Sequence, residues 1–199
     1  VAAAERMVAE GATIIDVGGE STRPGAQRIP QAEELERVAP VVEQLLARGI
    51  RVSLDTMNAA TAATCLELGD VIINDVSGGR ADPEMLPLVA RTGATYVLSH
   101  WRGHSVVMND LADYDDPGSE ILAELIGMRD RALAGGLNAE QIILDPGLGF
   151  AKDHDDNWAV LQRLDDFLTL GHPLLIGVSR KRFMGALLPE TAPILERDL

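Results

Sequence analysis

The 199-residue sequence predicts an α/β fold: a TIM (β/α)8 barrel, incomplete, with the first and last strands missing from this chain. Six short apolar runs lead into polar residues: Asp16 closes ATIID, Asp55 closes VSLD, Asn74 closes VIIN, His100 follows YVLS, Asp145 closes QIILD and Ser179 follows LLIGV. Helix-like segments separate these runs, as expected of parallel strands buried on both faces whose C-terminal ends gather at one rim. A complete barrel takes about 250 residues. The chain opens on a helix and stops after its sixth strand, so one strand is expected to be missing at each end. An open doubly wound sheet is the alternative, but it would carry a Gly-rich phosphate loop directly between an early strand and its helix. GGESTRPG is too broken by proline to be that loop.

The elements follow in order. VAAAERMVAE has helical spacing and stops at Gly11, a residue suited to the end of a helix. A strand follows over 12–17. After a Gly- and Pro-rich loop, Leu35, Val38, Ala39, Val42, Leu45 and Leu46 trace one helical face, with Pro40 expected to kink or break it. Then come strand 50–55, helix 58–68, strand 71–74, helix 83–92 and strand 95–99. A polar loop over 101–117 leads to a helix carrying Ile121, Leu122, Leu125, Met128 and Leu133. Strand 141–145, helix 155–169, strand 173–178 and a short helix from about residue 181 complete the chain. No low-complexity segment or linker interrupts this, so residues 1–199 are expected to form one domain.

Composition narrows the function. The net charge of −14 argues against binding a nucleic-acid backbone, which needs clustered Lys and Arg. The longest apolar stretches are strand-sized, so no signal peptide and no membrane span is expected, and a cytoplasmic protein is. The lone Cys65 sits on the apolar side of a helix and reads as a buried structural thiol, with no disulfide framework. Of 17 basic residues only Lys152 and Lys181 are lysines. Both follow strands, where a compact ammonium can suit a site better than a planar guanidinium.

Asp55, Asn74 and Asp145 close three different strands, so a barrel brings them around one cavity. Two carboxylates and an amide suit a flat heterocycle that presents an amino group beside a ring N–H. Lys181 adds a donor for a ring carbonyl or nitrogen. Each acid taken singly also reads as a helix N-cap. The Gly19–Gly25 loop combines glycines, two hydroxyls and Arg23, which suits a segment closing over an anion. Arg180, Lys181 and Arg182 concentrate charge where a helix begins, a favourable place for a carboxylate or phosphate. His100 and His104 flank Trp101-Arg102-Gly103 and do not read as a zinc site. Asp153, Asp155 and Asp156 read as complements of a helix start, and the acidic run 110–116 as a solvated loop.

Five segments, in order and at plausible spacing, resemble dihydropteroate synthases: GGESTRPGA at 18–26, SLDT at 53–56, INDVSGG at 73–79, LDPGLGFAK at 144–152 and SRKRF at 179–183. The resemblance implies a TIM barrel, homodimeric when full length, that joins p-aminobenzoate to 6-hydroxymethyl-7,8-dihydropterin diphosphate in folate biosynthesis, releases pyrophosphate with Mg²⁺ present, and is a sulfonamide target. It further implies that Asp55, Asn74, Asp145 and Lys181 bind the pterin and that Asp55 and Lys181 are catalytic. Thr22 would approach the diphosphate, and Pro24, Phe150 and Arg182 would wall the p-aminobenzoate pocket. No metal ligand is assigned within the chain, because the family's metal-holding Asn lies on the first strand, absent here, as is the Arg-x-His motif of the last strand. The chain is therefore expected to be inactive by itself. Ser99 stands where the family commonly has Met against the pterin. The rival readings are the pterin-binding barrel of a folate-dependent methyltransferase and a non-catalytic fragment or paralogue; GGESTRPG and SRKRF argue against the first.

Overall fold

The computed structural model describes residues 1–21, 28–104, 111–179 and 181–185, with Arg182 and Gly185 described by backbone alone. The elements alternate as α1 (Ala2–Ala9), β1 (Ile15–Gly18), α2 (Gln31–Leu46), β2 (Val52–Asp55), α3 (Ala59–Leu68), β3 (Val71–Asp75), α4 (Met85–Thr92), β4 (Tyr96–Ser99), α5 (Pro117–Ala134), β5 (Ile142–Asp145), α6 (His154–Gln162), α7 (Leu164–Leu168) and α8 (Arg182–Gly185). The five strands are parallel and lie in the order β1-β2-β3-β4-β5. Each strand pairs with its sequence neighbour and the order never reverses. That is how a barrel wall is laid down, and it differs from a doubly wound sheet, which has a switch point.

The register divides the sheet into two faces, because side chains alternate along a strand and register partners point the same way. On one face Val52 and Leu54 align with Val71 and Ile73, Tyr96 with Ile142, and Leu98 with Leu144. These residues are buried in a single cluster with Val42 and Leu45 of α2, Cys65 of α3, Met85 and Val89 of α4, and Ile121 and Leu125 of α5. On the opposite face Gly18, Asp55, Asn74, Val97 and Ile143 form one aligned row, and Ser99 aligns with Asp145 one pleat further on. The helices cover the first face, so the second is the inner one.

Three elements differ from expectation. The run 173–178 forms only an isolated parallel bridge between Leu144 and Leu174, through Leu144 N to Pro173 O at 2.9 Å and Leu175 N to Leu144 O at 2.8 Å. It opens on a proline without an N–H, contains Gly177, and among the described residues only β5 flanks it, so little holds it in a ladder. Pro40 does not end α2, which continues from Gln31 to Leu46. Pro40 is exposed, so the Glu36 carbonyl deprived of its intrahelical partner is on the water side. The segment 155–169 divides at Arg163, whose backbone leaves the helical region (φ −112°, ψ 20°), into α6 and α7.

Local chemistry at the helix ends matches the sequence at Asp153 and Asp156, whereas Asp116, expected in a solvated loop, is a helix cap. Asp153 and Asp156 form a reciprocal capping box at the start of α6, and Asp116 caps α5 by accepting from Ser119 N. Cys65 is fully buried, and burial pushes its thiol up to about 11, so it is an inert packing group.

Candidate active site at the strand ends

Asp55 and Asn74 stand side by side at the ends of β2 and β3. Gly18 is their aligned neighbour on β1, where a Cβ would come within 3.3 Å of the Asp55 side chain. Its lack of a side chain leaves room beside the carboxyl. Asn74 Nδ2 donates to Asp16 Oδ1 at 3.3 Å, reaching across β2. Asp16 therefore belongs to this polar face, although the sequence reading placed it at a strand end without giving it a role. Its alternation with Val17 along β1 was the available signal.

Burial pushes the Asp55 carboxyl up to about 8, helped by the negative charges of Asp16, Asp75, Glu34 and Glu20. Among the described residues its side chain accepts no hydrogen bond. It is not a helix cap either: Asp82 Oδ2 accepts from Ala59 N at the start of α3, at 2.8 Å. A carboxyl that neither caps nor pairs, held among other acids, is available to a ligand that brings donors or positive charge.

Asp145 is 7% exposed and lies one pleat nearer the rim. Its Oδ1 accepts from Gly147 N at 2.7 Å and its Oδ2 from Ser99 Oγ at 3.4 Å. Burial raises its pKa, while the Gly147 bond and the nearby Lys181 and Lys152 oppose the rise. Gly147 has φ +67°, and a Cβ there would meet the His100 carbonyl oxygen at 2.4 Å, so the turn that caps Asp145 requires glycine. Ser99, at the position where the resemblance expects Met, bonds Asp145 instead of packing.

Lys181 reaches back to this turn. Its ammonium donates to the Leu148 carbonyl and lies 5.2 Å from the centre of the Phe150 ring. Burial lowers its pKa and Asp145 opposes the fall. Phe183, two residues on, meets Trp158 edge to face at 5.5 Å, anchoring the start of α8 on α6. The structure thus brings Asp145, Phe150 and Lys181 together at one turn, with Asp55 and Asn74 further round the same inner face. Thr22 and Pro24 lie outside the described residues, and Arg182 is placed by its backbone at the start of α8.

Sequence reasoning missed a buried chain behind Asp145. His100, fully buried, has Nε2 at 2.9 Å from Glu124 Oε2 and Nδ1 at 2.9 Å from Lys152 Nζ. Lys152 also donates to the Phe150 carbonyl at 3.0 Å, and Arg102 Nη2 bonds Glu124 Oε1 at 2.5 Å. The scarcity of lysine marked Lys152, but nothing in sequence connects it to a histidine 52 residues away.

Among the described residues no group of three His, Cys, Asp or Glu side chains could hold a metal ion. No helix of the described residues is long and apolar enough to cross a membrane.

The family described as Pterin binding enzyme matches residues 1–199. The Dihydropteroate synthase of Mycobacterium leprae is 51% identical over 92% of this chain, which spans 64% of that protein's length. Among solved structures, Xanthomonas albilineans Dihydropteroate synthase with 4-aminobenzoic acid superposes with a TM-score of 0.90 at 37% identity, covering 98% of this chain and 69% of that one. The dihydropteroate synthase of Anaplasma phagocytophilum with bound 6-hydroxymethylpterin-monophosphate gives 0.89 at 35% identity, covering 98% and 78%. The partial barrel, the polar inner face and these likenesses agree: the chain belongs to the pterin binding enzyme family, among the dihydropteroate synthases.

Proposed function

We propose that the protein carrying this sequence condenses p-aminobenzoate with 6-hydroxymethyl-7,8-dihydropterin diphosphate, giving 7,8-dihydropteroate and pyrophosphate. The observation that carries the reading is the inner polar face on which Asp55, Asn74, Asp145 and Lys181 converge. The ligands named for the similar Xanthomonas and Anaplasma structures support both halves of the substrate pair.

In this reading Asp145 accepts from the amino group and ring N–H of the pterin, with its carboxylate held by Gly147 and Ser99. Asn74 and Asp55 line the ring beyond it. The carbon–oxygen bond between the exocyclic methylene and the diphosphate breaks, the electron pair leaves with pyrophosphate, and positive charge spreads into the ring. Asp16 and Asp55 share the face on which that charge develops; burial, with the neighbouring acids adding to it, raises the Asp55 carboxyl to about 8, and a positive charge forming beside it favours its ionised form and is stabilised in turn. The neutral arylamine attacks the methylene, forms the carbon–nitrogen bond and releases a proton to solvent. It is already nucleophilic, so orientation between the Phe150 wall and Lys181 matters more than a strong base.

Mg²⁺ is part of the proposal as the counter-ion of the diphosphate; no step is assigned to it because the described residues offer no cluster to hold it. Residues 1–199 form one pterin-binding domain in this reading. The working form is a cytoplasmic homodimer that sulfonamides inhibit as competitors of p-aminobenzoate. The test is pyrophosphate and dihydropteroate formation by the purified full-length protein with both substrates varied. Product that requires both supports the reading; tight pterin binding without turnover would make the protein a non-catalytic member of the family.

A further inference from the structure

Lys152 is the buried cation that the proposed chemistry does not use. It lies beneath the turn that carries Asp145, Gly147 and Phe150, and it is 8% exposed. Its ammonium has two close acceptors, His100 Nδ1 at 2.9 Å and the Phe150 carbonyl at 3.0 Å. A Cβ placed on Gly147, the residue whose N–H holds Asp145, would stand 3.5 Å from Lys152 Nζ. The His100 backbone N–H also bonds the Asp145 carbonyl at 2.8 Å. Lysine and aspartate are therefore tied to the same histidine and the same turn, one through side chains and one through backbone.

The chain runs outward from there. With Nδ1 accepting from the ammonium, His100 presents Nε2–H to the Glu124 carboxylate at 2.9 Å, and Glu124 is paired with Arg102. That tautomer requires a neutral imidazole, and burial together with the Lys152 charge lowers His100 to about 4. The bonds from His100 and Arg102 lower Glu124 to about 2. Glu124 is thus ionised and His100 neutral across the physiological range, so Lys152 is the member of the chain whose protonation is poised. Burial lowers it to about 7, with Asp145 and Glu124 opposing the fall and Lys181 and Arg102 adding to it. On the α6 side it also meets the field of Asp156.

We propose that Lys152, seated on His100 and Glu124, is a positioning residue for pterin recognition: its ammonium keeps the buried Asp145 carboxyl ionised and holds the Phe150 turn in place. This rests on the reading of Asp145 as the ring anchor. The work of the relay is electrostatic as well as geometric. An ionised acid at the foot of the cavity needs a countercharge that the ligand does not bring; Lys181, nearer the Phe150 wall, supplies the larger share and Lys152, from beneath the turn, the remainder.

The coupling is reciprocal, so it can be read from either end. In full-length protein labelled with ¹⁵N-lysine, the Lys152 Nζ resonance, assigned by its loss in Lys152→Arg, should titrate at lower pH in Asp145→Asn than in wild type, by about one unit. In Lys152→Met the affinity for 6-hydroxymethylpterin-monophosphate should fall at least about tenfold at pH 7, and its acid limb should move up by a similar unit; Lys152→Arg should restore the limb. An unchanged Lys152 titration in Asp145→Asn overturns the proposal, even if the Lys152→Met protein fails to fold. An acid limb that stays in place in a folded Lys152→Met protein overturns it too. Failure of the wild-type protein to make dihydropteroate would defeat the proposed reaction while leaving this coupling measurable.

Discussion

Asn74 and Asp75 are adjacent in sequence and leave β3 on opposite faces. On the helix-covered face Asp75 is fully buried and satisfied: Ser77 N and Ser77 Oγ donate to Oδ1 at 2.8 and 2.7 Å, and Gly79 N and Tyr96 OH donate to Oδ2, both at 2.8 Å. Among the described residues, on the inner face, Asn74 is half-buried and its amide reaches only to Asp16, while the Asp55 carboxyl beside it has no donor. Both faces bury acids at strand ends, and the difference is whether the protein completes the hydrogen bonding itself. A completed carboxylate holds a turn. An uncompleted one, repelled by its neighbours, is held for a ligand at a cost in stability.

The largest expected effect tests the satisfied side. Asp75→Ala leaves the Tyr96 hydroxyl and two backbone N–H groups without an acceptor in the core, and each such buried group costs about 1–3 kcal/mol. Thermal unfolding should show a loss of about 3 kcal/mol or more, roughly 6–12 °C for a chain of this size. A melting temperature within a degree of wild type would abolish the contrast.

Asp145→Asn should act on binding. The amide places an NH₂ against ring donors, and loss of a charge-assisted bond weakens binding by roughly 1.5–3 kcal/mol. Calorimetry with the pterin in the full-length protein checks this; unchanged affinity would show that Asp145 belongs with Asp75 as a structural acid.

Lys181→Arg keeps the charge but not the shape. The Lys181 stem passes 3.1 Å from where a Cβ on Gly149 would sit, so a bulkier planar fork does not follow the same path. The expected loss is about tenfold in kcat/KM, on the order of 1.4 kcal/mol. Steady-state rates with both substrates varied decide it; near-wild-type kinetics would reduce position 181 to general positive charge.

The smallest effect has the opposite sign. Asp55 is raised from an ordinary 3.8 to about 8, so between those values the folded state binds its proton more tightly than the unfolded chain. Stability from this group is full below the unfolded value and falls as pH rises toward the folded one. Asp55→Asn removes the charge, so its stability relative to wild type should grow as pH rises from 5 to about 8, by at least about 1 kcal/mol, or 2–4 °C, once the roughly 4 kcal/mol that the full shift corresponds to over that range is discounted for solvent screening. Parallel melting curves across that range would show it, and no pH-dependent gap would mean that the Asp55 carboxyl is not raised by its burial and its neighbours.

The comparison also shows how far the sequence reaches. Apolar runs ending in polar residues were enough for a parallel α/β chain and for placing Asp55, Asn74 and Asp145 at strand ends on one face, because a strand buried on both faces must be apolar and its last residue stands at the rim; Lys181 was marked by the scarcity of lysine. The helix-start role of Asp153 and Asp156, and the inert Cys65, followed from local chemistry that needs no partner from elsewhere in the chain, whereas Asp116, read as part of a solvated loop, proved to be the cap of α5. The pterin was named by the resemblance of five motifs; the inner face alone specifies only a flat, donor-rich ligand.

Other features were decided only when the strands were assembled. The run 173–178 had the composition of a strand, yet strand formation needs partners, and among the described residues it found only a bridge at Leu144. Asp16 joined the site through Asn74 across an intervening strand. Which of the neighbouring acids is satisfied depends on a tyrosine 21 residues from Asp75, and Lys152 gained its place from His100 and Glu124 on other elements. Periodicity and capping are written within a few residues of one another, so sequence alone determines them. Burial, charge compensation and register depend on segments far apart in the chain, and only the tertiary structure brings those together.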